Sequence, residues 1–403
     1  MTIGIDASRA FKQEKTGVER YAYNIIENLI KADSENQYIL YSRDSLVDFL
    51  DSRVKPKDDT TGGNDKKEGS KIRIKKLNWP FKYFWTQGRL SLEMLFKAPD
   101  MLFVPASSMP IIHPKNTVAV IHDVGFMKYP EAYSKWQLAY LKWSTKFAAK
   151  HAKKIITISE FSKQEIIKYF SSSDKEGNNL EDKIFITLLA CDLEEFKIIN
   201  NPERIKNILR KYKIDTPYIL FVGRLEAKKN ILNIVKAFAK ISHELDSSLR
   251  SDPFRMTKNR IKLVLAGAKG LDWSRVKNFI KDNSLQKDII LTGYVADEDL
   301  PYLYSGADLF LFPSLYEGFG MPVLEAMACG TPVITSNNNS LPEVAEEAAV
   351  LVDPSDTKLM ADKISEVLQD NNLREKLKQA GLKQAQKFSW RKCAEKTLEI
   401  FNR

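Results

Sequence analysis

The stretch that decides the fold runs Pro313-Ser314-Leu315-Tyr316-Glu317-Gly318-Phe319-Gly320-Met321-Pro322-Val323-Leu324-Glu325-Ala326-Met327-Ala328-Cys329-Gly330-Thr331-Pro332. The apolar run 309–312 ahead of it reads as a buried strand, Gly318 and Gly320 as a tight loop with bare amides, and the residues from Met321 as a helix. Pro322 fits the first helical turn, where its missing N–H costs no hydrogen bond. Unpaired N–H groups and the positive end of the helix dipole make such a helix start a site for an anion such as a diphosphate. Glu317 before the loop and Glu325 within the helix flank that anion, and carboxylates beside a phosphate suit hydroxyl groups.

The same strand-and-helix rhythm extends in both directions. Apolar runs at 218–223, 261–266, 289–292, 309–312, 332–335 and 349–352 read as strands buried on both faces. Shorter β-branched runs at 3–6, 38–41, 101–104, 118–121 and 155–158, with a helix over 18–31, repeat the pattern in the first half. The chain is therefore expected to be α/β, two Rossmann-like doubly wound domains facing a central cleft. The expected bounds are 1–196 for the first domain and 197–386 for the second. Residues 387–403 should form an amphipathic helix that returns to the first domain. The polar stretch of about 55–76, with Thr61-Gly62-Gly63-Asn64-Asp65 at its centre, is expected to be a surface insertion.

A length of 403 residues fits two domains. No run approaches the ~20 consecutive apolar residues of a membrane-spanning helix. Met1-Thr2-Ile3-Gly4-Ile5-Asp6 reads as a strand rather than a charged leader with an apolar signal core. Three cysteines, Cys191, Cys329 and Cys393, are too far apart for a disulfide framework or a thiolate zinc site. Together these lead to the expectation of a cytoplasmic protein. The net charge of +10 suits phosphate-bearing small molecules, anionic lipid or nucleic acid alike. Lysines and glutamates alternate along the helices, however, and no nucleic-acid-binding motif occurs, so nucleic acid is excluded as the expected partner. Four histidines show no metal-site spacing, and no metal is expected. Asp297-Glu298-Asp299 has the spacing of an acidic metal-binding pair, but before Leu300-Pro301 it reads as an acidic helix start favoured by the dipole.

Glu317 and Glu325, separated by seven residues around the glycine loop, resemble the signature of the retaining glycosyltransferases of GT-B fold numbered four in the usual classification. The resemblance covers nearly the whole chain. It implies that Glu317 contacts donor-sugar hydroxyls, that Glu325 holds the nucleotide ribose, and that Gly318, Phe319 and Gly320 supply backbone contacts to the donor. Gly223-Arg224-Leu225-Glu226-Ala227-Lys228-Lys229-Asn230 resembles the family's diphosphate clamp. Arg224 and Lys229 would neutralise the leaving nucleotide in place of a metal, while Lys228 reads as a solvated charge. Lys15-Thr16-Gly17-Val18-Glu19-Arg20-Tyr21 resembles the first loop, with Gly17 close to the donor. Many members have two adjacent glycines there; this chain has Thr16-Gly17. Ile121-His122-Asp123 resembles the element whose histidine reaches the donor sugar, with Asp123 orienting the adjoining loop. Ser159 reads equally well as a family element or a helix cap, and Val295 lies where the family contacts the nucleobase.

The resemblance implies transfer without a metal cofactor and with no obvious side-chain nucleophile. The usual front-face attack leaves the base unassigned. The first-loop and His-Asp motifs look most like mannosyl-transferring members, so GDP-mannose is the expected donor and a glycan or lipid-linked species the acceptor, in surface polysaccharide synthesis. A UDP-sugar-dependent enzyme of the same fold is one alternative. A catalytically silent nucleotide-sugar binding subunit and a nucleotide-sugar epimerase are the others. Trp79-Pro80-Phe81-Lys82-Tyr83-Phe84-Trp85, and Trp136, Tyr140, Trp143 and Phe147 among lysines, suit a bilayer interface. Peripheral contact with an anionic membrane at the inner face of the cell membrane is expected through Trp79, Phe81 and Trp85.

Overall fold

The computed structural model describes residues 1–11, 17–43, 71–81, 83–106, 108–171, 179–215, 217–249, 261–270 and 272–403, without side chains for 243–249. Among them, seven parallel strands form the first sheet: β1 (Thr2–Asp6), β2 (Gln37–Ser42), β3 (Ile72–Lys76), β4 (Met101–Val104), β5 (Thr117–Val120), β6 (Lys154–Thr157) and β7 (Ile184–Ile186). Their spatial order is β3-β2-β1-β4-β5-β6-β7. Six more form the second: β8 (Tyr218–Val222), β9 (Lys262–Ala266), β10 (Ile289–Gly293), β11 (Leu309–Phe312), β12 (Val333–Ser336) and β13 (Val350–Val352). These run β10-β9-β8-β11-β12-β13. Each order reverses once, between β1 and β4 and between β8 and β11. A crevice opens at such a switch point beyond the strand carboxyl ends.

Burial explains why these strands were readable. Every residue of β4, β5, β6 and β11 is buried, as helices on both faces of a parallel sheet require. The edges differ. Ile72-Arg73-Ile74-Lys75-Lys76 pairs with β2 from Tyr38↔Ile72 to Ser42↔Lys76, with Ile72 buried and Arg73 exposed. The insertion expected over 55–76 is thus corrected at its end: 72–76 is an edge strand, and 55–70 lies outside the described residues. Alternating isoleucine with basic residues gives this strand one inward face, and its charges discourage pairing with another chain.

The expectation that Trp85 faces a membrane is corrected as well. Trp85 is buried and its Nε1–H donates to the Leu77 carbonyl at 3.0 Å. Trp79 donates to the Tyr83 carbonyl at 2.8 Å and packs under Gly88, where an added Cβ would lie 2.5 Å from its ring. Both the buried Trp85 and the half-buried Trp79 give their N–H a nearby carbonyl. Only Phe81 of the three is well exposed.

The helix Trp390–Asn402 lies on the first domain: Trp390 meets Tyr21, Phe401 meets Phe103 at a centroid distance of 5.1 Å, and Lys154 Nζ donates to the Ile400 carbonyl at 2.6 Å. Among the described residues no helix is long and apolar enough to cross a membrane.

Candidate active site

The two switch-point crevices open onto one cleft of about 590 Å³, lined from both domains. Gly17, His122, Arg224, Lys229, Val295, Glu317, Gly318, Phe319, Gly320 and Glu325 all line it. Residues as far apart in sequence as Gly17 and Glu325 therefore meet in one place. Gly17 opens the helix Gly17–Ala32, and a Cβ there would meet no atom within 4 Å. Lys15 and Thr16 lie outside the described residues.

The glycine loop is shaped by what touches it. Gly320 is left-handed at φ 108°, directly before the helix Met321–Ala328, and a Cβ there would lie 2.5 Å from Leu341 Cδ2. Ser340 Oγ donates to the carbonyls of Glu317 and Phe319 at 2.9 and 3.0 Å. Phe319 itself is buried against Phe388. Gly318 lies against Asp123, so that a Cβ would come within 2.8 Å of the Asp123 Cβ. Its carbonyl accepts the hydroxyls of Ser159 at 2.7 Å and Ser162 at 3.2 Å from the first domain. Ser159 also accepts from Ser162 N at 3.0 Å as the cap of helix Glu160–Phe170, so it serves as helix cap and interdomain contact together.

The clamp follows β8. Lys229 Nζ donates to Glu317 Oε1 and lies 5.3 Å from the Phe312 ring centroid. Arg224 stands at the mouth, its side chain 64% exposed, with Nε 3.7 Å from Glu226 Oε2. Lys228, expected as a solvated charge, is instead half-buried. It lines the cleft and pairs with Glu226 at 3.3 Å. Burial lowers its pKa, but Asp123, Glu226 and Glu317 outweigh that and raise it. A third fixed cation therefore faces the same space.

His122 ends the segment after β5, 6% exposed and edge-on to Tyr21 at 4.8 Å. Its Nε2 lies 3.0 Å from the Pro105 carbonyl, which can only accept, so Nε2 carries the proton and Nδ1 is the bare acceptor of the neutral ring. Burial is the main influence and lowers its pKa, with Asp123 and Glu19 opposing. Asp123 accepts from Gly125 N at 2.8 Å and so fixes the turn that follows.

Glu325 is buried. Its Oε1 accepts from Arg20 Nη1 at 3.2 Å and its Oε2 from Tyr304 OH at 2.9 Å. Arg20 Nη2 also donates to Asp297. The Asp297 carboxylate is thus joined to the other domain, while Asp299 accepts from Lys211 and Tyr212; the acidic helix start is held by ion pairs rather than by the dipole alone. Arg20, Asp297 and Tyr304 were not picked out as site residues from the sequence. The available signal was that Arg20, three residues after Gly17, shares the face of the helix start.

Two parallel-sheet domains facing one cleft have the GT-B architecture. The family described as "Glycosyl transferases group 1" matches residues 203–384. The O-antigen chain mannosyltransferase B of Escherichia coli is 31% identical over 98% of each chain. The O-antigen chain mannosyltransferase RfbU of Salmonella typhimurium is 25% identical over 74% of this chain and 72% of its own. Among solved structures, the sucrose-phosphate synthase from Thermosynechococcus elongatus superposes with a TM-score of 0.71 at 19% identity, covering 100% of this chain and 98% of that one. This chain belongs to the group 1 glycosyltransferases.

Proposed function

We propose that this glycosyltransferase moves a mannosyl residue from GDP-mannose, with retention and without a metal, onto a glycan or lipid-linked acceptor in surface polysaccharide synthesis. One observation carries the reading: the clamp cations and the two-glutamate loop line a single cleft, with Lys229 paired to Glu317. As the sugar–phosphate bond breaks, negative charge grows on the diphosphate. Arg224, Lys228 and Lys229 line the cleft and would stabilise that charge, the part a metal would otherwise play. Glu317 and the bare Nδ1 of His122 are acceptors for sugar hydroxyls. Val295, buried beyond β10, is placed for the base, and the loop at Gly318, Phe319 and Gly320 for the phosphates. Mannose is favoured by the names of the two O-antigen relatives. Transfer assays with GDP-mannose test the site: Glu317→Ala and Lys229→Ala should each lose about 10²-fold or more in turnover, and unchanged turnover in both would overturn it.

Membrane contact at the inner face of the cell membrane belongs to the same reading, through Trp136 and Trp143 of the second aromatic stretch together with residues the sequence reading did not name. Leu92, Leu95, Phe96, Trp136 and Trp143 are exposed. They lie on two helices, Ser91–Lys97 and Lys135–His151, whose neighbourhoods are tied by Gln87 Nε2 donating to Tyr140 OH at 2.8 Å. Lys97, Lys135, Lys142, Lys146 and Lys150 lie on the same two helices, and aromatic rings with lysines suit an anionic bilayer surface.

A further inference from the structure

Arg20 reaches from the first domain into the second and touches two carboxylates there. Its side chain is 21% exposed, while that of Glu325 is 5% exposed. The two residues, with Asp297 and Met321, line both the main cleft and a second cavity of about 270 Å³ behind it. Glu325 therefore stands in the partition between the two spaces, not on an outer surface.

The hydrogen-bond count at Glu325 is informative. An ionised carboxylate offers about four acceptor positions, two on each oxygen. Arg20 takes one on Oε1 and Tyr304 one on Oε2. One position stays open on each oxygen, which is the number two neighbouring hydroxyl groups need. Both anchors are donors only toward Glu325, so they set its rotation as well as its charge.

We propose that Arg20 is a positioning residue for the donor nucleotide: with Tyr304 it holds the Glu325 carboxylate so that each oxygen offers one acceptor to the vicinal hydroxyls of the ribose. This rests on the reading that the cleft takes a nucleotide sugar. It adds a cross-domain requirement, because Arg20 belongs to the first domain and Glu325 to the second. Glu325 is set for the ribose only while the two domains stand together.

The electrostatics give the geometry a second readout. Burial is the main influence on Glu325 and raises its pKa; Arg20 and the Tyr304 hydroxyl lower it, and Asp297 raises it. Glu195, Cys191 and Cys329 complete the titratable groups whose charges act with that of Glu325. Removing Arg20 deletes the principal opposing charge, so Glu325 then takes its proton at a higher pH. Protonation converts one acceptor into a donor, and binding of the diol weakens as pH falls.

The test is calorimetric titration of the full chain with GDP and UDP and with their 2′-deoxy counterparts, at about pH 6 and about pH 8, for the wild type, Arg20→Met, Arg20→Lys and Tyr304→Phe. For the nucleotide that binds, the wild type should hold the ribose form about tenfold or more tighter than the 2′-deoxy form at the higher pH, as a hydrogen bond to an ionised group implies. Arg20→Met should lose more of that preference at the lower pH than at the higher, and Arg20→Lys should keep much of it. An Arg20→Met protein that weakens both forms equally at both pH values would show a merely structural role and overturn the proposal. Should Arg20→Met not fold, Tyr304→Phe decides, since an unchanged preference there contradicts the shared geometry. A wild type that binds neither nucleotide overturns the reading of the cleft and this inference with it, whereas binding without a ribose preference overturns this inference alone.

Discussion

His122 has spent its Nε2–H on the Pro105 carbonyl and is buried beside Tyr21. Burial lowers its pKa, so the unfolded chain binds a proton at this position more readily than the folded one. Stability from this residue is complete above the ordinary histidine value of about 6.5 and is lost as pH falls below it. Thermal melts at neutral and mildly acidic pH should show the wild type losing stability relative to His122→Gln on acidification. Parallel losses would place the effect elsewhere. The cleft positions of His122, Glu317 and Lys229 were legible because each stands near a strand end or beside a glycine loop. Arg20 was not, since its partner Glu325 is 305 residues away and no spacing encodes that pair. Lys228 was misread for a related reason: the carboxylate of Asp123, which helps raise its pKa, comes from the other domain.

At the scale of the element, the strand–loop–helix unit around Gly320 is the most constrained part of the site. Its φ of 108°, and the Leu341 side chain 2.5 Å from where a Cβ would stand, leave an L side chain no relaxed conformation. Gly320→Ala should destabilise by about 1–3 kcal/mol, measured by denaturant unfolding, and should weaken nucleotide binding more than stability because the loop carbonyls and amides move together. A variant with wild-type stability would contradict the strain. The central strands were readable because burial on both faces demands continuous apolar runs. β3 and β7 were not, because an edge strand is buried on fewer sides and its sequence carries charge or is only three residues long. Trp79 and Trp85 show the limit of composition: an aromatic cluster beside lysines looks the same whether the rings face lipid or pack on a neighbouring carbonyl.

Across the whole molecule, the two domains are joined by polar contacts and by the buried Tyr316, which packs edge-on against Tyr129 and Phe161 of the first domain. Glu343 accepts from the amides of Glu160 and Phe161 at 2.8 and 2.7 Å, Ser159 and Ser162 donate to Gly318, and Arg20 bridges to Glu325 and Asp297. Hydrogen bonds of this type contribute modestly and can be exchanged with water. Phe401, by contrast, is a buried apolar anchor of the last helix on the first sheet. Phe401→Ala should cost about 3–5 kcal/mol in chemical unfolding, and a negligible loss would show that the helix does not anchor there. The exposed patch belongs to this scale too. Replacing Leu95, Phe96 and Trp136 with serine should abolish flotation with anionic liposomes while leaving transfer to a soluble acceptor intact. Flotation that survives would remove the patch from the account.

The most direct test of the central claim is thermal unfolding of the full chain against GDP, UDP, ADP and dTDP, each with and without EDTA. A nucleotide present at ~100 times its dissociation constant adds ~2.7 kcal/mol of stability. The account predicts a selective shift with GDP that EDTA does not remove. A selective shift with UDP would contradict the mannosyl donor while keeping the cleft, an EDTA-sensitive shift would contradict metal-free binding, and no shift with any of the four would contradict the nucleotide site itself.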